Sequence, residues 1–216
     1  MEQNLGILYR DESLLIASKP AGVLSQPNAK LRATSVTEIL SQQGIRAQAA
    51  HRLDLEVSGC LLLALDEATL AALEGAFRER QVHKTYWALA RGRLERMQGQ
   101  IQFPLLAEGP TVRVSARGQR ALTRYRVLAS FAQVSELELE PVTGRRNQLR
   151  VHLAHLGHAL VGERKYAQGK DDPLRAKRLA LHAMRIELTH PHTGARLVVE
   201  APLDEELQQL RRRAGR

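Results

Sequence analysis

A single cysteine, Cys60, stands among the 216 residues. No intramolecular disulfide can form, and the chain needs no oxidising compartment. Apolar runs are short, none approaching the roughly 20 residues that span a bilayer. Met1-Glu2-Gln3-Asn4 has neither the basic start nor the apolar stretch of a secretory signal. The expected location is therefore cytoplasmic, with no membrane residence. Internal repeats at solenoid spacing and low-complexity tracts are also missing, which excludes repeat architectures.

What is present is an ordinary globular composition, 44% hydrophobic and 25% charged, with enough apolar surface to build a core. The length predicts one domain over residues 1–216, built as one continuous core or as two lobes sharing a sheet, since a second independent domain would have little room. Lys and Arg number 32 against 23 Asp and Glu, a formal charge of +9. That excess favours a polyanionic partner through long-range attraction, without choosing among RNA, DNA and anionic lipid.

Periodicity predicts a mixture of strands and helices. Ile7–Tyr9 and Leu14–Ala17 read as two short strands around a polar turn. Ser35 and Glu38 have capping-box spacing ahead of a helix that should stop at Gly44. Cys60–Leu65 is apolar throughout, as for a strand buried on both faces. Asp66 can cap the helix that carries Leu70, Leu73 and Phe77. Strands follow around Val82–Ala90, Leu122–Leu128 and Val134–Glu140, where Glu136, Glu138 and Glu140 are expected on a wet face. Leu149, Leu153 and Leu156 mark a helix closed by Gly157. A strand pair, Leu179–Leu188 and Arg196–Glu200, and a tail helix from about Asp204 complete the chain. Leu106–Gly118 and Tyr166–Lys177 read as surface loops, basic enough to close on a phosphate backbone.

The chemistry concentrates in His51-Arg52-Leu53-Asp54, just ahead of the apolar strand. Alternation in an extended segment points Arg52 and Asp54 to one side and Leu53 to the core. A carboxylate at the mouth of a buried strand, kept ionised by a nearby cation, can serve as nucleophile or base. By itself the pair reads better as a surface ion pair. His152, His155 and His158 are spaced by three but do not make a metal site, because Gly157 should end the helix and no cysteine pair can complete one.

Taken with Ser58-Gly59, the His51–Asp54 segment resembles the catalytic loop of the RluA-type pseudouridine synthases. Ala17-Ser18-Lys19-Pro20-Ala21-Gly22-Val23 resembles that family's early Lys-Pro-x-Gly segment. Lys84-Thr85-Tyr86-Trp87-Ala88 resembles its Lys-x-Tyr strand, and Gly144-Arg145-Arg146-Asn147-Gln148-Leu149-Arg150-Val151-His152 its Gly-Arg-x-x-Gln-Leu-Arg-x-His block. Gly157-His158 through Gly162 and Tyr166, and later Leu181-His182-Ala183, keep the family order, so the likeness runs from about Ile7 to Pro202.

The resemblance implies an α+β pseudouridine synthase fold: a mixed, mainly antiparallel sheet with flanking helices and a central catalytic cleft. It implies isomerisation of specific uridines in ribosomal or transfer RNA by a monomer, with no metal and no organic cofactor. Asp54 would be the catalytic aspartate, Tyr86 the ring that stacks on the flipped uracil and Arg150 the buried partner of Asp54. Arg52, His51, Lys84, Arg145, Gln148 and Leu149 would bind substrate, Arg52 by displacing the target base. A non-catalytic RNA-binding or ribosome-assembly protein that keeps the fold is the rival reading. The chain departs from the family at Val57 (usually Thr), Asn147 (usually His) and Glu163 (usually Asp). It leaves no room for the separate N-terminal RNA-binding domain that many relatives carry.

Overall fold

The computed structural model describes residues 5–167, 169 and 172–215. Part of the expected 166–177 loop, at 168, 170 and 171, and the N-terminal residues 1–4 lie outside them. The chain is α+β, with strands β1 (Gly6–Arg10), β2 (Leu14–Lys19), β3 (Gln48–Ala49), β4 (Ser58–Ala64), β5 (His83–Arg91) and β6 (Gln98–Ile101). β7 (Leu105–Glu108), β8 (Thr111–Val114), β9 (Thr123–Ser130), β10 (Val134–Pro141), β11 (Leu181–Thr189) and β12 (Arg196–Glu200) follow. The helices are α1 (Val36–Gln42), α2 (Glu67–Arg78), α3 (Gln148–His155) and α4 (Glu205–Ala214). Two compact units divide the chain: Met1–Lys84 with Ala183–Pro202, and Thr85–His182 with Leu203–Arg216.

In the first unit the strand order is β1-β2-β4-β11, with β12 beside β11 and β3 beside β4. The β1–β2, β2–β4 and β11–β12 pairings are antiparallel. All seven residues of β4 are buried, as its unbroken apolar run requires. Leu14, Ile16, Leu62, Leu73, Ile186 and Leu188 pack into one aliphatic core. Each such side chain contributes about 1.5–3 kcal/mol on leaving water. The helix ends follow the sequence signals. The Glu38 amide donates to Ser35 Oγ at 3.2 Å while the Ser35 amide donates to Glu38 Oε2 at 2.8 Å, and Asp66 accepts from the Thr69 amide at 2.8 Å.

Gly59 shows why a glycine follows Ser58. Its φ is +114°, and a Cβ there would lie 2.2 Å from the carbonyl oxygen of Ala183. Only a residue without a side chain lets β4 approach β11 so closely.

In the second unit the order is β5-β10-β9-β6, with antiparallel pairings throughout this run. Two expectations need correcting here. Leu106–Gly118 is not a plain loop: β7 and β8 pair as an antiparallel hairpin around Gly109-Pro110. Leu105 and Val112 of that hairpin share a small core with Val151 of α3. Glu136 is not on a wet face either, being 2% exposed. Its carboxylate accepts from Trp87 Nε1 at 2.7 Å and pairs with Arg211 of α4 at 2.9 Å, so a buried charge is compensated and the tail helix is tied down. Strands β3 and β6 fall outside the expected set, because two residues and a Gln-Gly-Gln-Ile stretch carry no strand pattern.

Candidate active site

The loop bearing Asp54 belongs to the first unit and is held by its main chain. Arg52 is exposed, Leu53 buried and Asp54 half-buried, the alternation that an extended segment dictates. Leu53 is locked by Ser25, whose Oγ accepts from the Leu53 amide at 2.9 Å and donates to its carbonyl at 3.3 Å. The Gly22 amide donates to the Leu55 carbonyl at 2.8 Å, and the Val57 amide to that of Asp54 at 3.1 Å. Lys19 is fully buried, and its ammonium donates to the carbonyls of Pro20 (3.0 Å), Val23 (2.5 Å) and Leu55 (3.4 Å). A desolvated ammonium surrounded by carbonyl oxygens ties the Lys-Pro segment to the Asp54 loop. The position of Asp54 thus depends on a segment some 35 residues upstream, as the Lys19–Leu55 separation of 36 shows.

His51, expected among the substrate contacts, is engaged with the main chain of β4. Its Nε2 accepts from the Leu62 amide at 3.1 Å, and its Nδ1 is shielded from solvent. A backbone donor at Nε2 requires the neutral ring with its proton on Nδ1. Burial, with Lys84 adding to it, pushes the ring down to about 3. His51 therefore anchors the Asp54 loop to β4. Phe77 lies against it at 5.0 Å between ring centroids, and Lys84 Nζ sits 5.3 Å from the same phenyl ring. Burial also pushes the Lys84 ammonium down. Cys60 is no competing nucleophile, because burial pushes its thiol up to about 12.

Tyr86 and Arg150 belong to the second unit. Tyr86, on β5, is 7% exposed and faces Leu139 across the β5–β10 pairing. Arg150 emerges from α3, whose entry is Asn147 in the left-handed region at φ +53°, a conformation that asparagine tolerates better than most side chains. Helix α3 is fixed by a buried polar network. Gln148 Oε1 accepts from Thr143 Oγ1 (2.7 Å) and from the Arg145 amide (3.0 Å), while its Nε2 donates to the Leu122 carbonyl (2.9 Å) and Thr123 Oγ1 (3.0 Å).

Every capacity of that amide is used inside the protein, so Gln148, expected among the substrate contacts, anchors the entry of α3. Leu149, 6% exposed, is likewise internal. His152 Nδ1 bonds Thr123 Oγ1 and its Nε2 the Phe103 carbonyl, both at 3.0 Å, which occupies the ring nitrogens that a metal would need. Arg145 is exposed, with Nε donating to the Arg120 carbonyl at 3.2 Å. Arg146, which the sequence did not single out, reaches the carbonyls of Gly109 and Thr111 at 2.7 and 2.8 Å and holds the hairpin turn.

The guanidinium of Arg150 makes a bidentate pair with Glu163, Nε to Oε2 at 2.7 Å and Nη2 to Oε1 at 2.9 Å. Burial alone would raise the Glu163 carboxyl; the bonds and charge of Arg150, with the amides of Lys165 and Tyr166, hold it below the usual carboxylate range. Sequence reasoning noted Glu163 only as a departure from a family pattern and missed this partnership, which joins residues 13 apart across a loop.

Residues 13–155 match the RNA pseudouridylate synthase family. A dual-specificity RNA pseudouridine synthase RluA of Haemophilus influenzae is 35% identical over 211 residues, covering 94% of this chain and 95% of the relative. Ribosomal large subunit pseudouridine synthase C of Vibrio cholerae is also 35% identical, covering 94% of this chain and 67% of that protein. Among solved structures, human RNA pseudouridylate synthase domain containing 1 superposes with a TM-score of 0.82 at 28% identity, covering 97% of this chain and 89% of the other. The chain belongs to the RNA pseudouridylate synthase family, a family of isomerases. Within it, its relatives are of the RluA and RluC type.

Proposed function

We propose that the chain isomerises specific uridines of ribosomal or transfer RNA to pseudouridine, with Asp54 as the catalytic carboxylate. The reaction breaks the bond from ribose C1′ to uracil N1, turns the base and forms a bond from C1′ to C5. The C5 proton departs and N1 gains one, so no electron donor, electron acceptor or energy source is consumed. One ionised carboxylate, attacking C1′ or removing the C2′ proton, provides what the protein must supply. Arg150 is the cation that the family resemblance assigns to favour its charged form. Tyr86 stacks on the extruded uracil and offsets part of the few kcal/mol that unstacking costs. Arg52, exposed beside Asp54, takes the vacated place in the RNA stack, Arg145 contacts the phosphate backbone, and Lys84 lines the substrate side of β5. Residues 1–216 act as one catalytic domain, monomeric and cytoplasmic.

The observation that carries this reading is the half-buried Asp54 on a loop fixed by Lys19, Ser25 and His51. A protein that only bound RNA would have no use for so rigid a carboxylate. No helix among the described residues is long and apolar enough to cross a membrane, and the +9 charge suits a polyanion.

Asp54→Asn decides between catalysis and mere binding. On unmodified ribosomal and transfer RNA transcripts tritiated at uridine C5, tritium release should fall by at least about 1000-fold. RNA affinity should stay within about threefold, since one exposed-edge carboxylate adds little to phosphate binding. A variant as active as the parent removes Asp54 from the chemistry.

A further inference from the structure

We infer that Glu163 is a positioning residue for the isomerisation: it fixes the plane of Arg150 and neutralises its charge, so that Arg150 works as a pre-aimed hydrogen-bond donor and not as a free cation. This rests on the assignment of Arg150 as the group that steadies Asp54.

The argument starts from burial. The Arg150 and Glu163 side chains are 5% and 0% exposed, so neither charge is screened by water and the pair must be satisfied internally. A guanidinium is a rigid fork with distinct donor edges. Glu163 takes the edge formed by Nε and Nη2, which sets the direction of the edge formed by Nη1 and Nη2. The carboxylate itself cannot swing, because Oε1 also accepts from the amides of Lys165 at 2.8 Å and Tyr166 at 3.3 Å.

The loop that presents Glu163 is braced in turn. Tyr166 lies with its ring 5.5 Å from Arg150 Cζ, and its phenol oxygen accepts from Asn147 Nδ2 at 2.6 Å. Arg91 Nη2 donates to the Glu163 carbonyl at 3.3 Å. The charged side chain paired with the carboxylate is Arg150 of α3; Arg91 of β5 meets the Glu163 carbonyl, and Lys165 and Tyr166 contribute backbone amides. A donor held in place before the reaction need not reorganise as charge moves in the transition state, which is where such geometry accelerates chemistry.

The test compares Glu163→Gln and Glu163→Asp with the parent. Single-turnover rates are measured at saturating enzyme on the tritiated ribosomal and transfer RNA transcripts, with filter binding and thermal melting on the same preparations. Glu163→Gln, which removes the anion, should slow turnover about 100-fold per folded molecule while RNA affinity stays within about threefold. Glu163→Asp, which keeps the charge on a shorter arm, should lie between, about 10-fold slow. The acid limb of the rate profile should move to lower pH in Glu163→Gln, because the uncompensated arginine then favours the ionised carboxylate more strongly. A structural role alone would lower the melting temperature without moving that limb.

Parental rates in both variants, or rate and affinity falling together, overturn the inference. Should Glu163→Gln not fold, Glu163→Asp decides alone: slowed turnover at unchanged affinity supports the inference, and the parental rate overturns it. The underlying assignment fails separately: an active Asp54→Asn refutes it whatever the Glu163 variants do. An inactive Asp54→Asn beside fully active Glu163 variants refutes only the positioning role.

Discussion

The loop around Asp54 and the helix that carries Arg150 are immobilised by opposite means. In the first unit the work falls to main-chain groups: carbonyls converge on Lys19, the Leu62 amide meets His51, and Gly59 passes within side-chain distance of Ala183. In the second unit side chains do it, through Gln148 with four internal bonds, His152 with both nitrogens engaged, and the Arg150–Glu163 pair. The first anchorage sets the side chains of Lys19, Ser25 and His51 against main-chain groups and is intolerant of anything that alters backbone approach. A side-chain network tolerates backbone shifts poorly and isosteric loss of polarity worse, because each removal orphans its partners.

The largest expected effect lies in the first unit. Gly59→Ala meets both an unfavourable φ and a 2.2 Å contact with a backbone oxygen. It should destabilise the protein by more than about 4 kcal/mol, if it folds at all. Urea denaturation measures this, and a loss under about 1 kcal/mol would show that the two strands can separate at little cost.

A middle-sized effect belongs to the second unit. Gln148→Leu has similar bulk and takes the acceptor from the Arg145 amide and the Thr143 hydroxyl, while the Leu122 carbonyl keeps the Val142 amide and the Thr123 hydroxyl keeps His152. A cost of about 2–3 kcal/mol follows. A neutral result in the same urea titration would mean that the network is dispensable and that Gln148 is available for substrate after all.

A third effect is a pH dependence, and its sign follows from His51. The folded ring titrates near 3, whereas in the unfolded chain the value is about 6.5. Below about 6.5 the unfolded chain takes up a proton that the folded one refuses. His51 therefore contributes stability that is complete above that value and declines as pH falls toward 3. The slope from this one group is at most about 1.4 kcal/mol per pH unit. His51→Gln, which keeps an acceptor for the Leu62 amide, should flatten the stability curve between pH 6 and 4, about the window those two values bracket. An unchanged curve would show that the ring can be protonated in place.

These contrasts also mark what could be read in advance. Strands β1, β2, β4, β5 and β9–β12 and all four helices lie close to where periodicity and caps put them, since hydrophobic spacing and capping are local properties. The β7–β8 hairpin carried a usable signal, Thr111-Val112-Arg113-Val114 after Gly109-Pro110, that was outweighed by its basic and small polar composition. Alternation along Arg52-Leu53-Asp54 was legible for the same local reason. Partners were not: the sequence gives no hint that Glu136 turns inward to Trp87 or that Glu163 closes on Arg150.

Sequence alone determined most of the element types, the charge that suits a polyanion and the order of motifs that mark the family, because each is written in residue identity and spacing. Tertiary structure decided which of the polar residues face inward. His51, Gln148 and Lys19 became anchors and Glu163 the partner of Arg150 only once distant segments met, because a buried polar group must find its hydrogen bonds wherever the fold brings a complement.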